Sequence, residues 1–168
     1  MKVGVFLHGT AIMHAAAASV PRRERIEQVR LGEPSVADFG GYIATPDAAG
    51  KLAAWRERGA VIVYLSSHRR AADLSADEAV IRRAGFPDGP VHARRDGEDY
   101  GALAGRLELD VLVEDDCESI GGAGQTCAAH LSPDARRRIR CVLVPEFAGL
   151  GDLPDDPRML LTGPGAGS

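Results

Sequence analysis

The chain has 168 residues, 45% of them hydrophobic and 26% charged, the proportions of an ordinary globular protein of one domain. That balance excludes wholesale disorder, a collagen-like repeat and a disulfide-built miniprotein, and no run of about 18 apolar residues is present to span a membrane. With 20 basic against 24 acidic residues, a net charge of −4 gives no basic excess for holding a phosphate backbone, so neither nucleic acid nor membrane is expected as a partner.

The run VGVFL at 3–7 reads as a buried strand that begins the fold directly; a signal peptide needs a longer apolar stretch and a small-residue cleavage site. Residues 11–44 are the least regular part, with alanines at 15–18, a charged helix around 22–31 and Pro34. They have two readings, a small helical lid or the surface of a homodimer. Thr45-Pro46 predicts the cap and first turn of a helix with Ala48, Leu52 and Trp55 on one face, stopped by Gly59. VIVYL at 61–65 is the second strand. Ser75 is expected to cap the next helix, which carries Ala79, Val80 and Ala84 and ends at Gly85. A weaker third strand at 91–93, a helix over 99–107, a fourth strand at 111–113, a helix from Ser132-Pro133 and a fifth strand at 141–144 complete the series. Gly121, Gly122 and Gly124 are too irregularly placed for a dinucleotide-binding turn and predict a loop, and the glycine-rich residues 163–168 predict a flexible tail.

The strands are apolar throughout rather than alternating, as in parallel sheets covered on both faces. Their alternation with helices predicts an α/β fold: a Rossmann-like three-layer sandwich with a mostly parallel five-stranded sheet, one domain over 1–162 without a large cap domain. Cys117, Cys127 and Cys141 cannot all pair and form no CxxC, which points to a reducing, cytoplasmic compartment.

Ligands of open α/β sheets bind beyond the carboxyl ends of the strands. Here the first strand runs into FLHGT (6–10), the second into SSHRR (66–70), the third into Arg94-Arg95 and the fourth into EDDCE (114–118). On one rim these residues suit a divalent cation held by oxygens beside an anion held by Arg and hydroxyl groups. Three consecutive acids need a cation or protonation to relax their repulsion; the alternative role of Asp115 or Asp116 is to cap the following helix.

In motif order and spacing, over roughly residues 2–145, the chain resembles the haloacid dehalogenase-like (HAD) superfamily, mostly phosphatases and related phosphotransferases. The family's DxDGT stands here as Phe6-Leu7-His8-Gly9-Thr10. Its strand-ending Ser or Thr is matched by Ser66, its basic residue by Arg94 or Arg95, and its acidic pair by Glu114-Asp115 with Asp116 adjacent. The resemblance implies Mg²⁺ held by Asp115 and Asp116, with Glu114 as a further ligand, and an anion held by Thr10, Ser66, neighbouring Ser67 and Arg94 or Arg95. The family's nucleophilic Asp is Phe6, which cannot attack phosphorus. His8 replaces the acid–base Asp and can carry that role near neutral pH, or serve as a hydrogen-bonded turn residue.

The resulting expectation is a protein that binds a small phosphorylated or anionic metabolite. As a hydrolase it would use His8 and Asp115, with water in place of the aspartyl nucleophile. Two readings of other classes stand beside it: a catalytically silent binding or regulatory module, for which Phe6 argues, and a non-phosphatase metal enzyme built on His8, His68, Asp115 and Cys117. His14, His92 and His130 are expected to be structural or exposed, and Cys117, beside carboxylates, is not expected to be a nucleophile.

Overall fold

In the computed structural model, which describes residues 1–162, the first apolar run becomes β1 (Lys2–Phe6) with Val3 and Val5 fully buried. The glycine-rich residues 163–168, expected as a flexible tail, lie outside the described residues. After a tight turn, β2 (Ile12–Met13) leads into two helices, α1 (Arg22–Leu31) and α2 (Pro34–Ala37), and the chain returns as β3 (Ile43–Ala44), antiparallel to β2. The irregular stretch is therefore an insertion carried on a two-stranded hairpin. Next come α3 (Ala48–Glu57), β4 (Val61–Leu65), α4 (Ala71–Arg83), β5 (Val91–His92), α5 (Tyr100–Arg106) and β6 (Val111–Asp115). The short α6 (Cys127–His130) and α7 (Pro133–Arg138) precede β7 (Arg140–Val144). Among the described residues no helix is long and apolar enough to cross a membrane.

The main sheet has the order β5-β4-β1-β6-β7, and every neighbouring pair is parallel. Side chains alternate across it. Ile62 and Tyr64 of β4 and Val111 and Val113 of β6 join one core with Leu52 and Trp55 of α3 and Val80 and Ile81 of α4. Val63, Leu65 and Leu112 join the other core with Leu103 and Ala104 of α5, Leu131 and Ala135. The result is the expected α/β sandwich, with a five-stranded parallel sheet between two helical layers.

Two helix starts differ from expectation. Thr45 does not cap α3; its hydroxyl is drawn 2.7 Å to the Thr10 carbonyl, and the helix begins after Asp47, whose φ is 58°. Likewise α4 starts at Ala71, well before Ser75, which lies exposed within it. Within α4, Asp77 shares a face with Val80, Ile81 and Ala84, an acid inside an apolar stripe and 1% exposed. Asp99 and Ser132 cap α5 and α7 as their sequence positions suggest, accepting from the amides of Ala102 and Ala135.

Candidate functional site

At the carboxyl end of β1 the chain turns sharply at Gly9, whose φ of 84° favours glycine. A Cβ on Gly9 would lie 2.7 Å from the Asp115 carboxylate, so the missing side chain lets the turn lie against the end of β6. Thr10, fully buried, donates to Asp115 Oδ2 at 2.7 Å, and the Cys117 amide donates to Oδ1 at 2.9 Å. Thr10 therefore orients a carboxylate, and its hydroxyl is not turned toward an anion as expected.

On one side of this turn lies a polar cluster centred on Asp77. His8 Nε2 is 3.1 Å from Asp77 Oδ1, and His8 Nδ1 is 2.9 Å from the Ser67 hydroxyl. Asp77 Oδ2 accepts from Ser66 Oγ at 2.5 Å and lies 3.1 Å from His68 Nδ1, while the His68 amide donates to Ser66 Oγ. Burial works to raise the Asp77 pKa, but hydrogen bonds from His8 and Ser66 and the histidine charges outweigh it and hold the carboxyl below its usual range. His68 is shifted down, by burial first and then by the neighbouring His8. Ser66 is spent inside this cluster at 0% exposure, which corrects its expected role on the anion, whereas Ser67, next in sequence, faces the cleft.

On the other side, Asp115, Asp116 and Glu146 each bring a carboxylate oxygen within 4.8 Å of the other two. Glu146 follows β7 and is set in place by the Phe147 amide, which donates to the Gly9 carbonyl, and by Ser119, whose amide and hydroxyl both donate to its carboxylate at 2.6 Å. Arg22 of α1 stands 2.7 Å from Glu118 and 3.6 Å from Asp116, and donates to the Glu146 carbonyl. Burial is the main reason the Asp115 and Glu146 carboxyls are pushed above their usual range; the charge of Asp116 adds to both. Three carboxylates this close, two of them costly to ionise, are a hard-oxygen donor set that fits Mg²⁺.

Glu114 does not belong to this set, contrary to expectation. Alternation along β6 turns it to the opposite face, where its carboxylate accepts from the amides of Cys127 and Ala128 at 2.6 and 2.9 Å and closes the first turn of α6. Burial raises its pKa from 4.5 to about 7. A carboxyl with a higher pKa in the folded than in the unfolded chain stabilises fully below its unfolded pKa and loses that contribution as pH rises through the folded one. Urea unfolding at pH 5 and pH 8 should therefore show a Glu114 contribution on the order of 3 kcal/mol in favour of pH 5, and Glu114→Gln should remove that part of the pH dependence.

Between the two clusters lies a cleft of about 200 Å³. His8, Ser67, Asp115 and Glu146 reach it from the rim, and its remaining walls are largely apolar, with Phe6, Tyr100 and Phe147 joined by Val29, Val36 and Tyr42 from the insertion. Phe6 packs edge-on to Tyr100 at 5.4 Å, and Arg94 lies over the same Tyr100 ring at 4.0 Å. The buried Arg94 Nε has no hydrogen-bond partner among the described residues. Arg95 is exposed, and its amide is taken by Glu98. Of the set His8, His68, Asp115 and Cys117, the two histidines gather on Asp77 instead, and burial together with Asp115 pushes the Cys117 thiol well up. Asp77 and Glu146 were not singled out from the sequence. An acid in the apolar stripe of α4 marks the first, and an acid directly beyond the fifth strand marks the second.

Neither a family model nor a curated protein sequence matches this chain. Among solved structures the fold is similar to that of the class C acid phosphatase from Bacillus anthracis with tungstate bound, with a TM-score of 0.54 and 14% identity over 88% of this chain and 68% of that one. It is also similar to a chain of the Pnkp1/Rnl/Hen1 complex, with a TM-score of 0.50 and 13% identity over 86% of this chain. This chain spans 46% of the length of that second structure. At these identities the likeness is one of fold.

Proposed function

We propose that this protein is a HAD-like hydrolase of small phosphate esters that works with Mg²⁺. One observation carries the reading: a histidine paired with a buried carboxylate and a triad of crowded carboxylates face each other across a single cleft, at the rim of a sheet whose fold an acid phosphatase shares. Asp115, Asp116 and Glu146 would hold the cation, which supplies positive charge against which a phosphoryl group can lie. Arg94, which lies over the ring of the cleft-lining Tyr100, would add positive charge beside the phosphoryl group. The apolar walls exclude water around the reacting group, and the insertion, with Val29, Val36 and Tyr42 in the wall, acts as a small lid. His8 moves the proton. Three free cysteines suit a reducing, cytoplasmic setting for a small metabolite.

The test is phosphate release from a broad panel of phosphometabolites, with and without Mg²⁺. Turnover that needs the metal and falls by about 100-fold or more in Asp115→Asn supports the reading. Binding of inorganic phosphate without turnover on any ester would instead favour the silent binding module, for which Phe6 against Tyr100 is the argument.

A further inference from the structure

We infer that Ser67 is a nucleophile: His8 and Asp77 activate its hydroxyl to take the phosphoryl group in place of the aspartate that Phe6 replaces. The inference rests on the phosphate-ester reading above and names the atom that performs the first step.

The argument starts at Asp77. Its carboxylate is 1% exposed and meets three groups, His8 Nε2, Ser66 Oγ and His68 Nδ1. An ionised carboxylate only accepts, so each of these must donate. When His8 carries a single proton, that proton therefore sits on Nε2 and Nδ1 is the acceptor. Among the described residues the Ser67 side chain has one hydrogen bond, to that Nδ1 at 2.9 Å, and in this tautomer the serine donates it. Serine, imidazole and carboxylate thus form a linear relay in which the carboxylate fixes the tautomer and the imidazole is the base. The ring cannot swing away easily, since Tyr42 contacts it edge-on at 5.7 Å and His68 at 4.3 Å.

The other candidate nucleophiles at this rim are occupied. Thr10 and Ser66 are fully buried and bound to Asp115 and Asp77. Ser119 gives its proton to Glu146, a member of the cation-holding set. Ser67 is half-buried, lines the cleft and is hydrogen-bonded to the His8 imidazole.

In the first step Ser67 Oγ bonds to phosphorus as its proton passes to His8 Nδ1. The bond from phosphorus to the ester oxygen breaks, and the leaving alkoxide takes the proton back from His8. Water then adds to the phosphoserine, giving a proton to His8, and phosphate departs as Ser67 Oγ recovers that proton. The sum is ester plus water to alcohol plus phosphate, with the protein regenerated.

The experiment treats the full chain with a fluorophosphonate, whose phosphorus accepts a single nucleophile with loss of fluoride, and maps the adduct by tandem mass spectrometry. The expected result is one adduct, on Ser67, absent from Ser67→Ala and formed at least about 100-fold more slowly in His8→Gln. That second variant keeps a donor toward Asp77 but has no base, and circular dichroism verifies that both variants fold. No adduct, an adduct on Ser119, or an equal rate in His8→Gln overturns the proposal. Mg²⁺-dependent phosphate release that survives Ser67→Ala also overturns it, leaving hydrolysis by direct attack of water intact. Labelling of Ser67 without phosphate release from any ester upholds the nucleophile and overturns the phosphate-ester reading instead.

Discussion

Asp77→Ala is expected to lower the unfolding free energy by about 3 kcal/mol, because it removes a buried carboxylate on which three groups converge. For a chain of this size that is a fall in Tm of about 6–12 °C, measured by scanning calorimetry. The loss is large because the partners cannot all find replacements. Ser66 is fully buried, while the side chains of His8 and His68 are only slightly exposed, so water reaches them poorly. Asp77→Asn should separate fold from chemistry. Its amide oxygen still accepts from Ser66 and His68, but its NH₂ would face His8 Nε2 and force the ring proton onto Nδ1. Ser67 would then have no base. A Tm drop well below that of the alanine variant, with labelling slowed by about 10³–10⁴-fold, is the expected pattern. An unchanged Tm in Asp77→Ala would show that the cluster contributes nothing to stability.

Asp115→Asn should do the opposite to stability. Burial holds the Asp115 carboxyl above its ordinary range, so the ionised form is a cost to the fold at pH 8, a cost that a neutral amide does not carry. The amide also fits the hydrogen bonds present. Its oxygen can accept from the Cys117 amide, and its NH₂ can donate to Thr10, whose hydroxyl accepts as readily as it donates. In metal-free buffer at pH 8 the variant should melt at the same temperature as the parent or slightly higher. Adding Mg²⁺ should raise the Tm of the parent, in proportion to the logarithm of metal concentration above saturation, and leave the variant where it was. Phosphate release should fall by about 100-fold or more in parallel. A parent whose Tm ignores Mg²⁺ would remove the cation from the site whatever the activity assay shows.

Particular residues show how far the fold was legible. The runs at 3–7, 61–65 and 111–113 read directly as buried parallel strands because each is apolar on both faces, and β1, β4 and β6 lie at the centre of the sheet. Helix starts were less legible. Thr45-Pro46 and Ser75 carry capping signals that the tertiary structure overrides, the first by drawing the Thr45 hydroxyl to Thr10 and the second by packing α4 along the sheet from Ala71. A local cap contributes about 1 kcal/mol, and burying one face of a helix contributes several times more.

The rim of the site was determined by sequence alone. A βαβ order sends every strand end to the same edge, so His8, Ser67 and Asp115 meet there without further information. What the partners of each residue are was decided only by the tertiary structure. Glu114 and Asp115 are neighbours in the chain, yet the pleat turns one into the amides of α6 and the other into the cleft. Ser66 and Ser67 are split in the same way, one buried on Asp77 and the other half-buried against His8 Nδ1. Asp77 meets His8 across 69 residues of chain, and Glu146 meets Ser119 across 27. Such pairings depend on strand pleat, helix phase and hydrogen-bond distances of a few ångströms, and no spacing along a chain encodes those before the layers have packed.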